Sequence, residues 1–437
     1  MEEKDLLDVV GIGIGPYNLG LAALLEETDL RGMFFDQTPA FEWHPGMLID
    51  GTDLQVPILA DLVTFADPRS RFTFLNYLHE HNRLYKFFFF NKNEIPRQEY
   101  NRYAQWVAGQ LESCFFGKKV VDVIDHMNDE SPHYEVIVED RDSGELTSHF
   151  SKHVVMGTGA KPLVVNGMEG LPDKDVFHSN RYLYHKDDVV KSGSVTIVGS
   201  GQSAAEIFLD LLKEQRNRDY KVTWFTRSEG ILQLESSKLG QEFFSPDYIE
   251  YFHPLSFEQR KSALSTLEHL RKGIDPSTLN AIYNVLYHRS VEDNTQDILI
   301  QPLTEVKEIS RVDDGYRLSC HQWQEGDEFD YESKKVVLAT GYKPNIPDWF
   351  DDRFRDQIVW EDEKRFKVSR DYQLVFKEER EHHFFTLTNL EHSHGAAATN
   401  LGLSVDRNIH IINTIAGKEL YRIQTDTIFS QFTMDKK

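Results

Sequence analysis

The sequence predicts an α/β fold: two Rossmann-like dinucleotide-binding units, the second inserted in the first, plus a small helical domain. Three observations predict it. Asp8 to Glu27, DVVGIGIGPYNLGLAALLEE, reads as strand, glycine turn, helix. Gly193 to Gln215, GSVTIVGSGQSAAEIFLDLLKEQ, repeats that layout. Two further runs, KHVVMGTGAKP (Lys152 to Pro162) and KKVVLATGYKPNIP (Lys334 to Pro347), end in Thr-Gly and then Lys-Pro. One precedes the second module and the other follows it, which makes the first unit discontinuous.

The expected division is 1–165 with 331–437 for the first unit and 166–230 with 296–330 for the second. Residues 231–295 form a helical cap, because FEQRKSALSTLEHLRKG and STLNAIYNVLYHR change to a helical pattern. The run Phe87 to Phe90 in KFFFFNK predicts a buried strand or packed loop.

Bulk properties narrow the class. The chain has 437 residues, enough for two or three domains. Its 71 acidic and 48 basic residues give a net charge of −23. That balance disfavours nucleic acid and anionic membranes. It reads first as solubility, and secondly as steering of a cationic substrate. No apolar run approaches the ~20 residues of a membrane span. The start, MEEKDLLDVVGIG, lacks the basic-then-apolar order of a signal peptide. Two cysteines without a CxxC pair fit a reducing, cytoplasmic setting and no dithiol centre.

The glycine turns carry the chemistry. Gly11, Gly13 and Gly15 allow a tight turn and close approach of backbone to a pyrophosphate. Pro16, Asn18 and Leu19 open the helix whose free N–H groups face that phosphate. Asp36 ends the next strand, where an acid meets a ribose hydroxyl. The second turn, Gly199-Ser200-Gly201-Gln202-Ser203-Ala204, has Ala in the third glycine position, as is common for NADP. Arg227 ends the strand after it and suits a 2′-phosphate; its bland alternative is a solvated surface residue. The pair of turns implies a resident flavin and a visiting nicotinamide. The histidines of EHHFF and EHSHG (His382, His383, His392, His394) lack metal-ligand spacing, so no metal is expected.

At this point the chain resembles the flavin-dependent N-hydroxylating monooxygenases of siderophore biosynthesis, which act on lysine, ornithine or diamines. The resemblance runs through GIGIGPYNLGLA, FEWHPGMLIDGTDLQVPILADLVTFADPRSRFTFLNYLHEHNRLY, PRQEYNRYAQWVA, VFHSNRY, IVGSGQSAAEIF, LATGYKPNIP and HSHGAAATNLGLS. It implies FAD, NADPH and O₂, a C4a-hydroperoxyflavin oxidant, and attack by a neutral primary amine. It places Gln55 beside the flavin and Trp43, His44 and Met47 in the flavin-side loop. Gly199, Gly201, Gln202 and Ser203 match its NADPH loop. Thr340 and Gly341 belong to the second Thr-Gly strand end, one of two that the reading takes as intact parts of the cofactor site. Asn400, Leu401 and Gly402 match its turn over the flavin ring, with Gln55 and Asn400 as the catalytic pair. It also implies a homo-oligomer, a dimer or tetramer.

One departure bears on substrate. Five positions after Gln55, the amino-acid-hydroxylating members carry a lysine that grips the substrate carboxylate. Ala60 stands there. Counterparts of two asparagines at the amino-acid end fall near Gln241 and Leu270. A carboxylate buried without a partner costs several kcal/mol. The expectation is therefore a diamine, putrescine or cadaverine, with Glu235 and Glu242 as partners for the far amine. Histamine, L-lysine or L-ornithine remain alternatives, the amino acids if another cation such as Lys272 stands in. The wider alternative is a flavin monooxygenase of ketones or sulfides.

Overall fold

A computed structural model describes residues 6–165, 167–292 and 295–434. Its first sheet has seven strands. Leu7–Ile12 lies between Gly32–Phe35 and Leu146–Met156, parallel to both. Leu146–Met156 is long enough to take two partners on its other edge. Its first half pairs antiparallel with Tyr134–Asp140, and its last three residues pair parallel with Phe384–Thr386. That last strand returns to the sheet only after the whole second unit. The first unit is thus discontinuous.

The second sheet is wholly parallel, in the order Val176–His178, Lys335–Leu338, Ser194–Val198, Lys221–Phe225, Ile298–Gln301. Its central strands are mostly buried and mainly apolar, with Thr196 and Thr223 buried among them. Lys335–Leu338 sits inside this sheet, so the return crossing lies just after Leu338 and not at 331. The two crossings pair with each other. Ala160–Pro162 and Tyr342–Pro344 form an antiparallel ribbon, with Lys161 opposite Lys343.

The cap also differs from expectation. Helices Pro246–Phe252 and Phe257–Thr266 pack on the C-terminal part of the first unit, where Arg260 pairs with Glu361. Helix Pro276–Val291 packs on Gln202–Glu214 of the second unit. Residues 231–295 therefore bridge the two units, with Leu232 and Leu234 bonded back to Ile274 within the segment. Phe87 to Phe90 is neither strand nor buried. It lies in helix Leu84–Phe90, of which no residue is buried.

His153 shows how tightly the first sheet closes. It is 3 % exposed, and its Nδ1 accepts the His383 N–H at 2.9 Å. Burial, then the neighbouring His383 and Lys152, pushes its imidazole down to about 3. A histidine held neutral stabilises the fold fully above its unfolded value of ~6.5. That stability falls as pH drops towards the folded value, because the unfolded chain then binds the extra proton. Between pH 7 and pH 5 the loss should be roughly 2 kcal/mol from this group. Thermal unfolding at both pH values measures it. The variant His153→Gln keeps an acceptor and should show a shallower slope; equal slopes would refute the assignment.

Candidate active site

The two glycine loops are the same device built twice. Gly13 and Gly199 have φ of +85° and +148°. A Cβ there would lie 2.6 Å from the Gly157 oxygen and 2.2 Å from the Ala339 oxygen. Each loop thus abuts the Thr-Gly turn of the other repeated motif. Gly15 and Gly201 are different. Each directly precedes its helix in extended conformation, and a Cβ there would meet nothing within 4 Å. No side chain caps either helix. Free first-turn N–H groups beside an open glycine make an anion cradle, and there are two of them. The residues fit two pyrophosphates.

Neighbouring residues hold the first cradle. Asn18 Nδ2 donates to the Gly13 oxygen at 2.8 Å. Asp36 Oδ2 accepts the Ile14 N–H at 2.7 Å, and Oδ1 accepts the Thr38 N–H at 2.8 Å. Asp36 therefore fixes the loop, beyond any contact with a ribose. Gly11 and Leu19 serve packing, not phosphate: a Cβ on Gly11 would strike the Phe34 ring at 2.1 Å, and Leu19 is fully buried. Pro16 occupies the first helical turn, where its missing N–H is harmless.

Trp43, His44 and Met47 lie at the seam between the units. The Trp43 N–H is accepted by Asn101 Oδ1 at 2.8 Å, and its ring meets Tyr100 edge-on. His44 has φ +50° and its ring approaches Tyr342 of the crossing ribbon. Met47 is buried in the core of the second unit. Thr340 Oγ1 donates to the Leu163 oxygen, while the Gly341 oxygen lies 2.9 Å from His178 Nε2.

A cavity of about 560 Å³ opens at this seam. Strand Asp53–Pro57, helix Gln202–Glu214 and the start of helix Pro276–Val291 form its walls. Gln55, Gln202 and Gln241 all line it. Arg97 crosses the seam to Glu206 with two parallel bonds of 2.8 Å. The Gln202 amide ties into the cap: Nε2 donates to Glu206 Oε1 and Thr278 Oγ1, and Oε1 accepts the Asp275 N–H. Its side chain clamps the cap helix, while its backbone stands at the helix start beside the cradle. Ser203 follows in that same turn. Arg227 is exposed, and its side chain has no protein partner among the described residues.

The turn at Asn400 packs against Ala60, just after the strand bearing Gln55. Asn400 Oδ1 accepts the Gly402 N–H at 2.7 Å, ahead of Leu401 and Leu403 in a single 3-10 turn. Ala60 is 4 % exposed, and a Cβ built on Gly402 would lie 3.6 Å from its own. Asp61 fixes Ala60 by accepting the N–H groups of Val63, Thr64 and Phe74. Sequence reasoning missed the ties that hold the turn. Tyr17 Oη donates to the Thr399 oxygen at 2.6 Å, Arg407 Nη2 to the Ala398 oxygen at 2.7 Å, and Asn408 Nδ2 to the Tyr17 oxygen at 3.0 Å. The signal was a polar Asp-Arg-Asn run inside an apolar helical pattern.

A family profile described as L-lysine 6-monooxygenase/L-ornithine 5-monooxygenase matches residues 5–344. The chain belongs to that family. A putrescine N-hydroxylase of Shewanella oneidensis is 38 % identical over 431 residues, covering 98 % of this chain and 85 % of that one. The FAD-bound cadaverine monooxygenase DfoA of Erwinia amylovora superposes with a TM-score of 0.93 at 33 % identity, covering 99 % of each chain. The ornithine N-hydroxylase KtzI of Kutzneria, with reduced FAD, NADP⁺ and L-ornithine, gives 0.88 at 26 % identity, covering 94 % and 99 %.

Within this N-monooxygenase, three expected substrate contacts are otherwise engaged. Glu242 accepts the N–H groups of Phe429 and Ser430 and so anchors the C-terminal tail. Glu235 Oε1 accepts the Ser237 N–H at 2.6 Å in a local turn. Leu270 is buried and does not line the cavity. Gln241 does line it, tied by Nε2 to the Glu235 oxygen at 2.8 Å. Lys272 is exposed and pairs with Glu268 one helical turn away.

The histidines of the two paired motifs turn to protein partners. His382 meets Asp125 at 2.7 Å, His392 the Phe366 oxygen, His394 the Arg370 oxygen, and His383 stacks on His153. Among the described residues, His126, Asp129 and His133 bring possible ligand atoms within 4.8 Å. The two rings stack at 14°, so their in-plane lone pairs do not meet at one point.

Glu206→Gln would leave Arg97 uncompensated at the seam. The expected loss is about 3 kcal/mol of stability, with a raised KM for NADPH. Thermal unfolding and steady-state kinetics measure both, and an unchanged KM would detach the seam pair from the nucleotide site.

Proposed function

We propose that this chain holds FAD on the Gly15 cradle and NADPH on the Gly201 cradle, and N-hydroxylates a small diamine, putrescine or cadaverine. The product hydroxylamine supplies hydroxamate-type siderophore assembly. The observation that carries the substrate reading is Ala60, buried against Gly402 where a carboxylate-gripping lysine would stand. Lys272 pairs with Glu268 and does not line the cavity. The relatives named for putrescine and cadaverine support the same reading.

Bound flavin, reduced by NADPH, supplies the activated oxygen. The chain supplies position and dryness. Gln55 lines the cavity and has no protein partner among the described residues, so its amide is free for a cofactor or substrate. The Asn400 turn packs against Ala60, five residues after Gln55. The amine must arrive unprotonated, because an ammonium has no lone pair to attack with. A primary amine has a pKa near ~10.4, so the enzyme works against protonation at neutral pH. Among the described residues no helix is long and apolar enough to cross a membrane. Our reading places the enzyme in the cytoplasm as a homo-oligomer.

Two outcomes are expected. Hydroxylamine formation, measured directly beside NADPH oxidation, should be strong with putrescine or cadaverine and at least tenfold weaker with L-lysine and L-ornithine. Ala60→Lys should reverse that order; amino-acid turnover left unchanged by it would sink the carboxylate argument. Substrate-triggered flavin reoxidation should rise with pH between about 6 and 9 as the free-amine fraction grows. A flat profile would contradict uptake of the neutral amine.

A further inference from the structure

Helix Leu84–Phe90 has no residue buried within the chain. Tyr85 is 80 % exposed, Phe88 70 % and Phe89 76 %. Of its rings, Phe87 turns inward, edge-on to Phe74 at 5.5 Å. Leu75, on the helix packed beside it, extends the apolar surface. Aromatic side chains carry about 150–250 Å² each, so this helix alone shows water roughly 500 Å² of aromatic area. That is near the upper end of the largest apolar patch on a soluble monomer. With Leu75 and a polar rim, the face approaches the ~800 Å² per partner of a stable interface.

The helix is too short to persist by propensity alone. Specific contacts hold it open. Arg83 pairs with the buried Glu99 before it, and Asn91 ends it with φ +53°. The chain therefore fixes these rings outward.

Charge selects the occupant. Of the three basic residues from Asn82 to Asn93, Arg83 pairs with Glu99 and Lys92 with Asp53, which leaves Lys86 as the cation facing outward on a chain of net charge −23. Exposed Glu80 and Glu94 flank that basic stretch on either side. Two copies related by a twofold axis would bring Lys86 of each towards a flanking glutamate of the other, with the rings between. An anionic membrane would meet the same rings but repel the body behind them. We propose that this face is an isologous contact between two copies of this chain, with Phe88 and Phe89 at its centre. The proposal deepens the oligomer reading above and is independent of the substrate reading.

Sedimentation velocity on the full, FAD-loaded chain tests it. The wild type should sediment as an assembly at micromolar concentration. Phe88→Glu/Phe89→Glu should drop to the next smaller species, with flavin absorbance and Tm nearly unchanged. Phe89→Cys should form a reducible cross-link between copies on mild oxidation. A monomeric wild type would overturn both the oligomer reading and this surface. An assembly that survives the double substitution would overturn the surface alone. Co-sedimentation of wild type, but not the double variant, with phosphatidylglycerol vesicles would replace the second copy with a lipid surface.

Discussion

One guanidinium sets how the two nucleotide units face each other. Arg97 grips Glu206 across the seam with both arms and donates also to the Met47 oxygen at 3.1 Å. Glu206 in turn receives Gln202, which holds Asp275 and Thr278 at the head of the cap helix. A buried ion pair adds little net stability, because desolvation offsets most of the attraction. What it adds is registry, since a planar fork meets a carboxylate in one geometry. The loop of Trp43 and His44, the second cradle and the cap all take their relative positions from this node.

The two cradles also show that glycine has two separate uses in such loops. Gly13 and Gly199 are glycine because protein backbone crowds them. Gly15 and Gly201 are glycine beside open space. The first pair preserves the fold of the loop and the second preserves access to it. Ala60 follows the same logic at the substrate end, where a small side chain sits close to Gly402.

Much of this was legible in the sequence because its signals are local. Strand–Gly-x-Gly–helix units and Thr-Gly-x-Lys-Pro ends read directly, and the discontinuous first unit followed from their order. The seam was not legible: Arg97 and Glu206 lie 109 residues apart, and nothing nearby in sequence marks either as a partner. Gln202 was assigned to the cofactor from its motif, and its side-chain ties to Thr278 and Asp275 across the cap were not legible there. Glu242 looked free until the C-terminal tail folded back onto it. The phenylalanine run misled because hydrophobicity reads as burial within the chain, whereas here it is held outside by Arg83 and Asn91.

The ribbon of Ala160–Pro162 and Tyr342–Pro344 has a mechanical meaning. Two separate crossings would let the second unit twist, slide and tilt on the first. Hydrogen-bonded to each other, they become one axle. Gly159 at φ +66° and Gly341 at φ +85° stand just before it on either chain, so the bend is localised at its ends. The chain thus passes between the units at one joined place, and the Arg97 and Glu206 pair holds the same two units at another.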